Sequence, residues 1–131
     1  MTFRFVIPRL TPTNNVLLRT HWRERKRLVE EWFWELKMAT QALEIPRPAF
    51  GESRRLALIS RRCQLADEDN FRGGLKPLLD AMTAAELLFD DGPKFLRLQA
   101  AQVKVRRRAE ERTELRLTIT RPKQSKEGGL S

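Results

Sequence analysis

Two periodicities divide this chain. From Trp22 to Leu43 the apolar residues Leu28, Val29, Trp32, Phe33, Leu36, Ala39 and Leu43 recur at helical spacing and predict one long helix with a single buried stripe. Trp34 and Met38 lie off that stripe, four residues apart; they fit a second buried edge or a subunit contact, with core packing the expected use. Leu75, Leu78, Leu79, Met82, Leu87 and Leu88 repeat the helical spacing further on. Elsewhere the period is two. Phe3, Phe5 and Ile7 alternate with Arg4 over Thr2 to Ile7, a strand stopped by Pro8. Arg54 to Cys63 is an apolar, strand-like run, and Phe95 to Arg108 reads as a long strand. In that last strand apolar parity changes from Leu96 and Leu98 to Val103 and Val105, which predicts a bulge near Ala101-Gln102. After a polar turn around Ala109 to Thr113, Leu115, Leu117 and Ile119 alternate with Glu114, Arg116 and Thr118, giving a final strand that forms a hairpin with the one before it. Leu10 to Thr20 and Ile45 to Ser53 read as loops. The order is strand, helix, strand, helix, strand, strand: an α+β fold with a mixed sheet and helices packed on one face. Residues 1–120 are expected to form one domain and 121–131 a flexible tail.

Composition narrows the partners. The 131 residues carry 26 Lys and Arg against 17 Asp and Glu, a formal net charge of +9 and a pI near 10.8. A polyanion is the favoured partner, nucleic acid first; the alternative is a protein that is simply basic. Cys63 is the sole cysteine, so no internal disulfide can form and a reducing compartment fits. No run reaches membrane-spanning length, and residues 1–20 carry Arg4, Pro8 and Arg9 where a signal peptide would be apolar. A cytoplasmic protein is expected.

The chemistry gathers around Asp67-Glu68-Asp69-Asn70, Lys76, Asp80 and Asp90-Asp91. In extended chain Asp67 and Asp69 point to one side, and Asn70 or Asp69 can cap the helix that follows. Lys76 comes seven residues after Asp69, about 700° around a helix, so both share a face if the helix is continuous, and Asp80 extends that face. Gly73-Gly74 and Pro77 weaken its first turns, leaving a start at Asn70 or at Leu75 open. Asp90-Asp91-Gly92-Pro93 is a turn; a strand leaving it beside the earlier one would return Asp91 to Asp67 and Asp69. Three carboxylates without cysteine or histidine are hard oxygen ligands, suited to Mg²⁺ or Mn²⁺ rather than zinc, and such a site suits phosphodiester hydrolysis. Lys76 would neutralise charge developing on the phosphate, and Asp90 would help hold the metal or orient water. A solvated acidic cluster paired with arginine is the plainer alternative. Spacing excludes a calcium loop, because Phe71 stands at the fifth position and Gly73 one place late; Gly73-Gly74-Leu75-Lys76-Pro77 also lacks the pattern of a P-loop.

This constellation resembles the signature of the RusA family of Holliday junction resolvases, small phage-derived endonucleases. Pro12-Thr13-Asn14-Asn15, after a short strand, is similar to the family's Pro-Ser-Asn-Asn segment. The matching motifs run through roughly residues 3–120. The resemblance implies a homodimeric, Mg²⁺-dependent enzyme in which Asp67, Asp69, Asp91 and Lys76 are required for cleavage. One departure stands out: Phe71 to Leu75 makes the interval between the second aspartate and the lysine three residues longer than in the commoner form.

The reading is therefore a Mg²⁺-dependent endonuclease, with Mn²⁺ able to substitute, that resolves four-way DNA junctions by paired symmetrical nicks. A four-way junction is nearly two-fold symmetric and each chain supplies one acidic site, so a homodimer is expected. Arg23, Arg25 and Lys26, in the first turns of the long helix, are candidate phosphate contacts, with a solvated face as the alternative. Asn14 and Asn15 either make a turn or hydrogen-bond the DNA backbone; Asn70 and Arg72 are grouped with them. Arg106, Arg107 and Arg108 are either a DNA contact or a charged hairpin end. His21 is given no role beyond the surface or a cap. The competing functions are a nuclease acting on flaps or other branched DNA, and a DNA-binding relative whose site Gly73-Gly74 has spoiled.

Overall fold

The structure is a computed structural model in which residues 1–120 are described; the tail expected over 121–131 lies outside the described residues. In chain order it has β1 (Thr2–Ile7), α1 (Asn14–Leu18), α2 (Trp22–Thr40), β2 (Arg54–Arg62), α3 (Glu68–Gly73), α4 (Lys76–Ala84), β3 (Leu96–Lys104), a short 3₁₀ turn (Arg108–Glu110) and β4 (Arg112–Thr118). The α+β class and the mixed four-stranded sheet follow the expectation from the sequence.

Strand order is β1-β4-β2-β3. β4 is antiparallel to both β1 and β2, while β2 and β3 are parallel and joined by the crossover through α3 and α4 that a parallel pair requires. The expected β3–β4 hairpin is therefore wrong. The chain leaves β3 at Lys104, crosses the end of β2, and inserts β4 in the middle of the sheet, where Leu115 and Leu117 bury against Leu58 and Leu56. No bulge occurs either: β3 pairs residue for residue with β2 from Leu96 to Lys104. Leu96 and Leu98 turn inward and Val103 turns to the opposite face, which an edge strand tolerates.

One sheet face is covered by helices. Leu56 and Leu58 of β2, Leu115 and Leu117 of β4 and Phe5 and Ile7 of β1 meet Trp32 and Leu36 of α2 and Leu78, Ala81 and Met82 of α4 in a single core. Each fully buried leucine contributes on the order of 1.5–3 kcal/mol of transfer free energy. Trp32 and Leu36 lie on the stripe read from the sequence, but Trp34 and Met38 are exposed rather than packed in the core. His21 does cap α2: its Nδ1 accepts from the Arg23 backbone N–H at 3.1 Å. The stretch Leu10–Thr20 is not all loop, since Asn14 to Leu18 form α1, with Leu17 buried as its anchor. Among the described residues no helix is long and apolar enough to cross a membrane.

Candidate functional site

The acidic segment begins where β2 ends, and a side chain of β3 fixes its position. Gln102 forms a reciprocal pair with Ala66, its Oε1 accepting from the Ala66 N–H at 2.9 Å and its Nε2 donating to the Ala66 carbonyl at 2.8 Å. The next residue, Asp67, has extended backbone (φ −67°, ψ 161°) and caps α3; its Oδ1 accepts from the Asn70 N–H at 3.0 Å. The expected cap at Asn70 or Asp69 is thus corrected to Asp67, because the helix starts as soon as a carboxylate can satisfy its first free donors. That releases Asn70 for a long-range contact: its Oδ1 accepts from the Asn15 N–H at 2.8 Å, tying Pro12-Thr13-Asn14-Asn15 to the acidic helix. Asp69 sits exposed in the first turn with no protein partner among the described residues. The cap can be tested apart from any chemistry. Asp67→Ala should destabilise the fold by about 1 kcal/mol, while Asp67→Asn, which keeps an acceptor, should stay within a few tenths; thermal melts of the two would separate the roles.

Helix continuity fails at the glycines. Gly74 and Leu75 make i→i+3 contacts to Phe71 and Arg72, and α4 begins anew at Lys76 with Pro77 in its first turn, where a missing N–H is harmless. Asp69 and Lys76 therefore lie on two separate helices and do not share one helical face. Lys76 nonetheless reaches acids: its Nζ is 3.0 Å from Asp80 Oδ1 and 2.7 Å from Asp91 Oδ2. The hydrogen bond to Asp91, then that to Asp80, raises the Lys76 pKa above its ordinary value. The group is a fixed cation at neutral pH, unsuited to act as a base. A folded-state value above the unfolded one means the pairing stabilises the fold below lysine's ordinary pKa and is lost as pH rises through the raised value. Since Lys76 is well exposed, the difference in stability between wild type and Lys76→Met should be small, about 0.5 kcal/mol, level across neutral pH and shrinking in strong alkali. Denaturant titrations at several pH values would show it.

Asp90 serves the turn itself, its Oδ2 accepting from the Gly92 N–H at 3.1 Å, and the Gly92 carbonyl accepts from Phe95 and Leu96 to launch β3. Two arginines escape a reading by charge alone. Arg54 and Arg62 occupy the buried parity of β2 with Leu56, Leu58 and Ser60, and an arginine on an apolar parity is the signal that could have found them. Arg54 donates to Glu52 (2.9 Å), the Leu87 carbonyl (2.9 Å) and the Pro46 carbonyl (2.7 Å), bracing the chain just before the Asp90-Asp91 turn. Arg62 donates to the Thr11 carbonyl at 3.0 Å and braces the Asn14 segment; burial lowers its pKa.

The structure thus brings together Lys76, Asp80 and Asp91, and separately joins Asn15 to Asn70. Among the described residues no group of three or more Asp, Glu, His and Cys side chains is formed that could hold a metal ion. The donor chemistry still fits a hard divalent cation: Asp67, Asp69 and Asp91 each keep at least one carboxylate oxygen without a protein partner among the described residues. No family model and no curated protein matches the chain. Of the candidate DNA contacts, Arg23 and Lys26 are exposed on α2, and Arg23 lies over the Trp22 ring. Arg25 is held by the Leu17 carbonyl of α1. Arg72 is paired with Glu68 at 2.6 Å. Arg106, Arg107 and Arg108 are exposed on the crossing from β3 to β4, not at a hairpin end.

Proposed function

We propose that this chain is a RusA-like, Mg²⁺-dependent endonuclease that resolves four-way DNA junctions as a homodimer. The observation that carries the reading is the meeting of Lys76 with Asp91, 15 residues apart, despite the longer interval before the lysine. The observed element order supports it too, with the expected strand–helix–strand–helix–strand–strand sequence modified by α1 and by the split second helix. In this reading Asp67, Asp69 and Asp91 hold the cation, with Asp90 fixing the turn that presents Asp91. A Mg²⁺ or Mn²⁺ ion held there would supply positive charge able to polarise the scissile phosphate and to make an attacking water more acidic. Lys76, held by Asp80, stays protonated and offsets negative charge as the phosphorus–oxygen bond breaks. Two such sites related by two-fold symmetry would nick opposed strands.

A second reading, a DNA-binding protein that does not cut, draws on the break at Gly74 that sets Asp69 and Lys76 on different helices. Cleavage assays on four-way, three-way and flap substrates at one salt concentration, with and without Mg²⁺ or Mn²⁺, separate the readings. Paired nicks in the four-way junction are expected. A preference for flaps would replace the resolvase with a flap nuclease, and binding without nicks at any neutral to alkaline pH would leave the second reading standing.

A further inference from the structure

Among the described residues the helices cover only one face of the sheet. On the open face each of the four strands contributes one exposed arginine: Arg4 from β1, Arg116 from β4, Arg55 from β2 and Arg97 from β3. Strand register sets Arg4 directly opposite Arg116 and Arg55 directly opposite Arg97. All four line one groove of ≈ 460 Å³, and among the described residues no carboxylate lines its walls. None of the four has a hydrogen-bond or ion-pair partner among the described residues.

Like charges directly opposite each other in a sheet are destabilising, so two arginine pairs side by side do not serve the fold. The other end of the same face shows the contrast. There Glu114 sits between Arg61 (2.8 Å) and Arg112 (2.7 Å), pairs with both and offsets one of their two charges. The arginine end is left unbalanced, and guanidinium groups are the side chains best shaped to grip phosphate oxygens. A row crossing four strands spans about 14 Å, the axial distance over which one strand of a duplex carries about four phosphates. A second copy of this face is a poor occupant, since it would add four more guanidinium groups. Residues 121–131 would add three basic side chains against one acid.

We propose that the open face of the sheet is a DNA docking surface, on which Arg4, Arg55, Arg97 and Arg116 hold the phosphodiester backbone of a duplex arm. The assignment of that arm to a branched substrate rests on the proposed function; the docking of duplex does not. Because α4 packs against the other face of the sheet, this surface takes a length of DNA different from the one that lies against Lys76.

Fluorescence anisotropy of a labelled duplex and a labelled four-way junction, measured without divalent metal over a salt series, tests this. Arg55→Gln/Arg97→Gln and Arg4→Gln/Arg116→Gln should each lower the log–log salt slope by about 2, and the quadruple variant by about 4, with affinity falling at least about tenfold. Arg55→Lys/Arg97→Lys, which keeps the charge, should keep most of the slope and guards against a folding artefact. Melting temperatures of the glutamine variants should equal or exceed wild type, because like-charge repulsion is removed. Unchanged slopes in the folded quadruple variant would overturn the docking surface, even where wild type nicks junctions normally. A wild type that never nicks, with slopes that fall as expected, would defeat the proposed enzyme and leave the docking surface in place.

Discussion

Asp69→Asn is expected to lower junction cleavage by about 10²–10³-fold while leaving junction affinity equal to or better than wild type. The substitution keeps the size and shape of the side chain and removes one negative charge. Asp69 is exposed and unpartnered among the described residues, so no internal contact is lost. Its place in the first turn of α3 gives it a favourable interaction with the helix dipole, and losing that costs about 0.3–1 kcal/mol, too little to unfold a domain of this size. Against this small structural effect stands the loss of a hard anionic ligand where the proposed reaction needs one. In the proposed complex this surface faces phosphate, so removing its charge lowers repulsion and binding should hold or tighten. Single-turnover cleavage, anisotropy and a thermal melt on the same preparation distinguish the outcomes. Full activity in the variant would remove Asp69 from the site, and a parallel fall in affinity would assign it a binding role instead.

Much of the fold is legible along the chain because it is local. The stripe containing Trp32 and Leu36 places α2, alternation places β1 and β4, and an apolar, strand-like run places β2. Where β4 goes is not local. Leu115 and Leu117 are equally content on any apolar sheet face, and only the completed fold decides that they lie between β1 and β2 rather than beside β3. Val103 misleads for a related reason: apolar parity signals a bulge only when both ends of a strand are buried, and on edge strand β3 Val103 is partly exposed. Trp34 and Met38 mislead by composition, since large apolar residues on a surface are ordinary. In the site, spacing shows Lys76 near Asp80, but its contact with Asp91 depends on the crossover that brings the Asp90-Asp91 turn alongside α4. The tie between Asn15 and Asn70, 55 residues apart, has no sequence signal beyond the two asparagine motifs themselves.

Gly74→Ala is expected to destabilise the protein by about 2–3 kcal/mol, although helix propensity alone would favour alanine by about 1 kcal/mol. The Gly74 backbone is near-helical (φ −79°, ψ −5°), so no left-handed conformation demands glycine there. Space does. A Cβ on Gly74 would stand 1.7 Å from the Pro12 carbonyl oxygen and 2.7 Å from its carbon, both backbone atoms that no rotamer change can move. The chain must shift as a whole, pulling Pro12-Thr13-Asn14-Asn15 off α3 and threatening the Asn15–Asn70 hydrogen bond, worth about 1 kcal/mol. Gly73→Ala meets a different obstacle, the Asn14 side chain, with Cγ at 2.6 Å and Cβ at 2.7 Å. Those atoms can be deleted: Asn14→Gly should recover most of the loss from Gly73→Ala and none of the loss from Gly74→Ala, a coupling that a double-mutant cycle in denaturant reads directly. Rescue of both glycine variants by Asn14→Gly would show that side-chain crowding, and not backbone approach, fixes this joint. The glycines that lengthen the interval before Lys76 would then be mere spacers, whereas the contacts seen here make Gly74 the position that lets the asparagine segment lie against the acidic helix.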